Sequence, residues 1–473
     1  MRDGETFTSE RRRDLHICAV GIDRPMKRFG VGSFADFTCS EQVGEGTYGF
    51  VYKAVDKRNN EVVALKKMII HKEMFGFPLC AVREIKFLKS LHHKNLVKLL
   101  DIVSAKSVEY LEDTKVHKSQ VVKSTTETLQ TADGKSSSHH AKKSDGRSKK
   151  DGDASITSSN KVTNSSDNKA TDEENNATSQ SINLSLCSNI YLVFEYIEHD
   201  LGGLVDAKYK FTLREIKSIM KQLFEVVDYL YERKIVHRDI KTSNILISNN
   251  HLIKLADFGL ARSLIGYDGK EGKLDLTNNV ITMWYKPPEL LLGAVRYTYS
   301  VDVWSTGCVC AELELGRPLF PGKTEVQQLD LIFRSIGTPD DDVWNANATM
   351  LGLTTDGTSK MLKGLPRYVS SLKQSYSKQI CDQTLTFLER VLVSDPTKRS
   401  SARTALTSSY FSTQPLPPLD PEDLGPLNIT AGASLHEYQT KRKRREEIDA
   451  AGVAASAAVA AVPAAPFQYG API

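Results

Sequence analysis

The stretch His237-Arg238-Asp239-Ile240-Lys241-Thr242-Ser243-Asn244 is followed by Asp257-Phe258-Gly259 and then by Pro288-Glu289, in that order and at spacings that loops can bridge. Upstream of it, Gly44-Glu45-Gly46-Thr47-Tyr48-Gly49-Phe50-Val51 has the glycine pattern of a loop whose backbone closes over a polyphosphate. On its own that pattern is more often a turn between strands. A dinucleotide-binding loop needs a helix directly after the glycines, whereas here the chain runs on as Val51-Tyr52-Lys53-Ala54, a strand. No G-x-x-x-x-G-K-[ST] occurs, so the phosphate loop of the other large nucleotide-hydrolysing class is excluded. Val63-Ala64-Leu65-Lys66 then sets a lysine on a strand, and Glu84 falls on the following helix, where its carboxylate could hold that ammonium. Taken singly each of these is an ordinary solvated charge. Their conjunction with the downstream aspartates and asparagine is what makes the signal specific.

Together these motifs resemble those of the eukaryotic protein kinases, over about residues 33–411 apart from one insertion. The resemblance implies an α+β, bilobal fold. A small antiparallel β-sheet lobe with one key helix would occupy residues 33–196, and a larger helical lobe residues 197–411. It also implies ATP and Mg²⁺. Transfer of a γ-phosphoryl group through a loose transition state needs alignment and charge neutralisation more than covalent participation. In the family's scheme Lys66 binds the α- and β-phosphates, Glu84 orients it, Asp257 and Asn244 hold the metal, Asp239 accepts the substrate hydroxyl proton, and Lys241 sits beside the transferred phosphate. Lys241 in that loop is the choice of Ser/Thr kinases. Val43, Gly44, Glu45, Gly46, Thr47, Tyr48 and Gly49 would cover the nucleotide. Val51, Ala64 and Leu246 would sandwich the adenine, Phe194 would gate the pocket, the Glu195 to Ile197 backbone would bond the base, and Asp200 is counted with these residues. Glu289 with Arg399, and Asp302, match architectural positions of the family: an ion pair bracing the larger lobe and an anchor for the catalytic loop. The alternative for such a set is a kinase fold kept for binding alone.

Pro78-Leu79-Cys80-Ala81-Val82-Arg83-Glu84 is similar to the cyclin-binding helix of the cyclin-dependent kinases, with Leu-Cys in place of the usual middle pair. Thr277 aligns with their activating threonine, and Arg83, Arg238 and Arg262 match the three arginines that gather around its phosphate. Asn279 excludes the T-x-Y of mitogen-activated kinases. Glu198-His199-Asp200-Leu201, Pro287-Pro288-Glu289 and His436-Glu437 ahead of Lys441-Arg442-Lys443-Arg444-Arg445 resemble the transcriptional members that pair with cyclin T or cyclin K. That resemblance implies Ser/Thr-Pro sites on the C-terminal repeat of RNA polymerase II or on elongation factors as substrate, and a nuclear location. A cell-cycle kinase is the competing reading. Lys286 replaces the arginine that the family uses in selecting proline after the phosphoacceptor. The basic run reads equally as a nuclear address or as a solvated helix face. His436-Glu437 is expected to fold back near the nucleotide ribose. Thr47 and Tyr48 match inhibitory phosphorylation positions of cell-cycle relatives but read first as loop residues.

The remaining composition bounds the rest of the chain. With 473 residues and a formal net charge of +4, the chain is too balanced to coat nucleic acid. Seven scattered cysteines without C-x-x-C predict reduced, buried thiols. No secretory signal is legible in residues 1–32, which read as a flexible extension. A helix is predicted from about Cys80 to Leu91, with Val82, Ile85 and Leu88 on one face, and another over 213–233, with Ile216, Ile219, Leu223, Val226, Val227 and Leu230 buried. Residues 104–185 hold almost no aromatic residue among Lys, Ser, Thr, Asn and Asp, and read as a disordered insertion. Residues 412–473 read as a Pro-, basic- and Ala-rich tail, with an apolar stretch too short and too weakly hydrophobic to span a bilayer.

Overall fold

The computed structural model describes residues 31–46, 49–68, 78–105, 189–265, 274–340, 347–348, 350–353, 365–430 and 432–460. The readings made for Thr47, Tyr48, residues 1–30 and 106–185 lie outside these.

The smaller lobe is a six-stranded sheet in the order β1-β5-β6-β4-β3-β2. Its strands are β1 (Val31–Ser33), β2 (Phe37–Gly46), β3 (Gly49–Asp56), β4 (Glu61–Met68), β5 (Leu99–Ala105) and β6 (Asn189–Glu195). Alternating apolar and polar residues drive it: in β3 Tyr52, Ala54 and Asp56 face inward while Lys53 and Val55 lie between them, half-buried. The expected antiparallel pairing holds from β2 to β6, but β1 adds a parallel edge strand, with Val31 opposite Ile102. Residues 31–32, assigned to the flexible extension, therefore belong to the sheet. The insertion boundary also moves, because Ser104 and Ala105 remain in β5 opposite Ile190 and Asn189.

Helix α1 (Leu79–Ser90) is the one α-helix of this lobe among the described residues, and its buried face is Ala81, Glu84 and Leu88. Val82, expected inside, is 47% exposed beside Leu79 at 77%. Three-residue spacing alone caused the misreading. At 100° per residue, Val82 and Leu88 end 120° apart around the helix.

The chain then passes β7 (His199–Asp200) and α2 (Leu201–Asp206) into the helical lobe. Helix α3 (Leu213–Glu232) starts at a capping box in which Thr212 and Glu215 satisfy each other's backbone N–H groups. All six of its expected apolar residues are buried. Short strands β8 (Ile235–Val236), β9 (Ile245–Ile247), β10 (Ile253–Leu255) and β11 (Arg262–Ser263) carry the polar loops between them. Helices α4 (Pro288–Leu291), α5 (Ser300–Leu315), α6 (Glu325–Ile336), α7 (Leu372–Tyr376), α8 (Asp382–Val391), α9 (Ala402–Leu406) and α10 (Ser409–Ser412) follow. Helix α5 is buried nearly all round, including Trp304 at 0% exposure, so its buried carboxylates must find partners inside the protein. Both, Asp302 and Glu312, do so at the catalytic loop.

The tail is more regular than its composition suggested. Helix α11 runs from Glu437 to Ala460, through much of the segment read as low-complexity, because alanine is the best helix former. Ion pairs Lys441–Glu437 and Arg442–Glu446 support its first half. No helix of the described residues is long and apolar enough to cross a membrane. Cys308 and Cys310 are buried, as predicted for reduced thiols, whereas Cys39, Cys80 and Cys381 are half-buried.

Candidate active site

Strand β4 is central, so Lys66 stands between Val51 on one neighbour and Leu192 on the other. Its Nζ lies 2.9 Å from both carboxylate oxygens of Glu84 and 3.1 Å from Oδ1 of Asp257. One ammonium thus ties the sheet, α1 and the Asp257 loop together. Burial alone would pull this amine down, but the carboxylates of Asp257 and Glu84 outweigh it and keep it raised and protonated. Asp257 adopts a left-handed backbone at φ 63°, and its half-buried carboxyl, against the desolvation that would raise it, is held below the usual range by Lys66. That turn aims the carboxylate back at the lysine rather than along the strand.

The catalytic loop is fixed from below by α5. Asp302 accepts the backbone N–H groups of His237 at 2.7 Å and Arg238 at 2.9 Å. Asp239 is then held by its neighbours: Asn244 Nδ2 donates to its Oδ2 at 2.9 Å, Lys241 Nζ lies 3.0 Å from Oδ2, and Thr282 Oγ1 donates to Oδ1 at 3.0 Å. Thr282 was not assigned from sequence, since nothing in a lone threonine marks it. Because Asn244 spends its amide nitrogen on Asp239, the amide's oxygen is its atom for a cation.

The nucleotide-binding assignments fall around this cluster. Gly44 pairs with Val51, and Glu45 with Phe50, across the β2–β3 hairpin, and Val43 is buried at a bulge beside them. Gly49 is obligatory, since a Cβ there would collide with the Lys67 carbonyl. Ala64 faces Phe194 across the sheet, Leu246 pairs with Asp200, and Glu195 and half-buried Ile197 lie at the junction between the lobes.

Asp200 needs a correction. Its carboxylate accepts the N–H of Gly203 at 2.7 Å, that of Glu437 at 3.0 and 3.2 Å, and Nδ1 of His436 at 3.1 Å. Those bonds occupy both oxygens, so this carboxylate binds the tail and caps α2 rather than standing free for a nucleotide. The tail folds back onto Asp200 at the junction between the lobes through His436 and Glu437. Ser434 Oγ donates to Glu198 O at 3.1 Å, and Asp200 N to Leu435 O at 3.2 Å.

The activation segment is anchored through a tyrosine that sequence reasoning passed over. Tyr297 donates to the Thr277 carbonyl at 2.6 Å and accepts from Arg238 at 2.9 Å, leaving the Thr277 side chain exposed. Burial raises the Tyr297 hydroxyl's pKa, against the pull of Arg238 and Arg262 nearby. Arg83 donates to Gly259 O at 3.3 Å. Farther on, Lys286 is buried with Nζ 3.3 Å from Glu325 Oε1, and Ile281 has a left-handed φ of 67°. The Glu289–Arg399 pair is bidentate at 2.8 and 2.9 Å and wholly buried.

A lysine held between two carboxylates, together with an aspartate fixed by lysine, asparagine and threonine, is the arrangement of a phosphoryl-transfer site. Residues 37–143 and 175–411 match the protein kinase domain family, and the chain belongs to it. Curated relatives include cyclin-dependent kinase C-1 of Arabidopsis thaliana, 36% identical over 427 residues, 90% of this chain and 68% of that protein. Cyclin-dependent kinase 12 of Caenorhabditis elegans is 34% identical over 412 residues, 86% and 44% of the two chains. The CTD kinase subunit alpha of Schizosaccharomyces pombe is 32% identical over 405 residues, 85% and 52%. Within the family the chain stands with the cyclin-dependent kinases of the transcriptional subgroup, as an ATP-dependent serine/threonine kinase.

Proposed function

We propose that this kinase phosphorylates Ser/Thr-Pro sites of the RNA polymerase II C-terminal repeat or of elongation factors, in the nucleus, when a T- or K-like cyclin is bound and Thr277 carries a phosphate. The observation that carries the reading is the closed Glu84–Lys66–Asp257 bridge, with α1 already drawn against the sheet. The similarity to a CTD kinase subunit supports the substrate, and the exposed basic run at 441–445 on α11 supports the location.

Asp257 and Asn244 offer hard oxygen donors, and no cluster of three or more His, Cys, Asp or Glu able to hold a metal alone exists among the described residues. That set fits Mg²⁺, which takes one or two protein oxygens and completes its shell with phosphate and water. Bound there, the ion would neutralise charge on the transferred phosphoryl group. Lys66 would hold the α- and β-phosphates, Asp239 would orient the substrate hydroxyl and take its proton, and Lys241 would meet the phosphate as it moves. Lys286, drawn to Glu325, is a point donor where the family has an arginine fork, and with Ile281 in its left-handed turn it belongs to the segment that would receive the phosphoacceptor and the residue after it.

The experiment is affinity purification to identify the bound cyclin, followed by phosphorylation of polymerase-repeat peptides and peptides varied after the phosphoacceptor. Transfer to repeat peptides with a T- or K-type cyclin present supports the reading. Activity only with a cell-cycle cyclin would overturn it.

A further inference from the structure

Asp239 sits on a segment that ends in a 3₁₀ turn, Thr242–Asn244, and the substrate-side segment ends in another, Met283–Tyr285. One link between them is at Thr282, whose hydroxyl donates to Asp239 at 3.0 Å and accepts from Lys241 Nζ at 3.3 Å. A second is buried. Thr242 Oγ1 lies 3.0 Å from the Tyr285 hydroxyl and donates to Glu312 Oε1 at 3.3 Å, while Tyr285 donates to Glu312 Oε2 at 2.7 Å. Glu312 comes from α5, the helix that also holds His237 and Arg238 through Asp302. Ser305 of α5 donates to the Tyr285 carbonyl at 2.9 Å.

We propose that the Thr242 hydroxyl is a positioning group for phosphoryl transfer, forming with Tyr285 and Glu312 the second of two ties that fix the Asp239 segment against the segment receiving the phosphoacceptor. This rests on the roles given above to Asp239 and to residues 281–286. A single tie leaves two segments free to pivot about it, whereas a second one, anchored through Glu312 to the helix that already holds His237, Arg238 and the Tyr285 carbonyl, leaves one arrangement. The requirement is sharp here because the substrate-side segment includes Ile281, a β-branched residue at φ 67° that persists only when its surroundings over-determine it. A displacement of about 1 Å between base and hydroxyl is costly to a transfer that depends on alignment. Thr242 supplies what an apolar residue of the same shape cannot: a hydroxyl placed between a phenol and a carboxylate.

The test uses the full chain with its co-purified cyclin and a Ser-Pro peptide, comparing Thr242→Val, Thr242→Ser, Tyr285→Phe, the Thr242→Val/Tyr285→Phe double variant and Asp239→Asn. Thr242→Val should lower kcat about five- to tenfold, the worth of one net hydrogen bond, with KM for ATP changed less than about twofold. Thr242→Ser should restore kcat, and the double variant should be little slower than the slower single one, as expected of one shared tie. Wild-type kcat in Thr242→Val, an equal loss in Thr242→Ser, or fully multiplicative effects would each overturn the proposal while leaving the assignment of Asp239 intact. Full turnover by Asp239→Asn would remove that assignment, and the proposal with it.

Discussion

Nδ1 of His436 lies 3.1 Å from Oδ2 of Asp200, joining the C-terminal tail to the junction between the lobes. The two residues are far apart in sequence, and the same carboxylate also takes the N–H groups of Gly203 and Glu437. Close approach of the tail depends on a missing side chain, because a Cβ on Gly203 would collide with the Leu435 carbonyl, a backbone atom that cannot swing away. Gly203→Ala should therefore release the tail. Hydrogen exchange should accelerate at residues 435–440 and stay unchanged in α5, with stability lowered by about 1–3 kcal/mol. Unaltered protection at 435–440 would show that the tail is held elsewhere.

Arg399 and Glu289 make a different kind of contact, since neither side chain is exposed at all. Removing the guanidinium strands a buried carboxylate, which costs about 3–5 kcal/mol. Arg399→Ala should shift the urea midpoint by that amount. Glu289→Gln should cost less, because the guanidinium keeps the carbonyls of Val393 and Ser300. Equal losses in both variants would contradict this asymmetry.

At Thr277 the prediction concerns activity rather than stability. The side chain is exposed, while its backbone is tied through Tyr297 to Arg238, the residue before Asp239. A phosphate added there brings roughly −1.5 to −2 charges beside Tyr297, on whose hydroxyl Arg238 and Arg262 already act. Thr277→Ala should lower the rate of the cyclin-bound kinase at least about tenfold without moving its melting temperature. An unchanged rate would sink the role assigned to Thr277.

How far the sequence could be read depended on the distance over which each feature is encoded. Helix α3 was legible because its apolar residues recur at three and four, and the lysine-glutamate bridge because strand, turn and helix follow directly on one another. Val82 was misplaced because repeated three-residue spacing slides around a helix. Asp200 was given to the nucleotide because no local pattern foretells a tail folding back onto it. Strand β1 is too short to show a period, and its parallel pairing with β5 is a tertiary fact. Thr282, Tyr285 and Tyr297 matter through hydroxyls whose partners lie on other loops, and only coordinates bring those together.

Glu312 gives a pH signature. Burial is the main cause that pushes its carboxyl up to about 7, helped by the nearby Glu437 and Asp206 carboxylates and opposed by hydrogen bonds from Tyr285 and Thr242. The folded state thus holds a proton that the unfolded chain releases near the ordinary value of 4.5. Below that value both states are protonated and the group contributes nothing. Between about 4.5 and 7 the folded state binds more protons than the unfolded one, so stability falls as pH rises, and above about 7 the full penalty of a buried carboxylate is present. The penalty is on the order of 3 kcal/mol. Glu312→Gln should lose this component. Comparing urea midpoints at pH 5 and pH 8, the wild type should fall more between the two than the variant does, by up to that amount. Parallel pH profiles for the two proteins would mean that the carboxyl ionises as freely inside the fold as outside it.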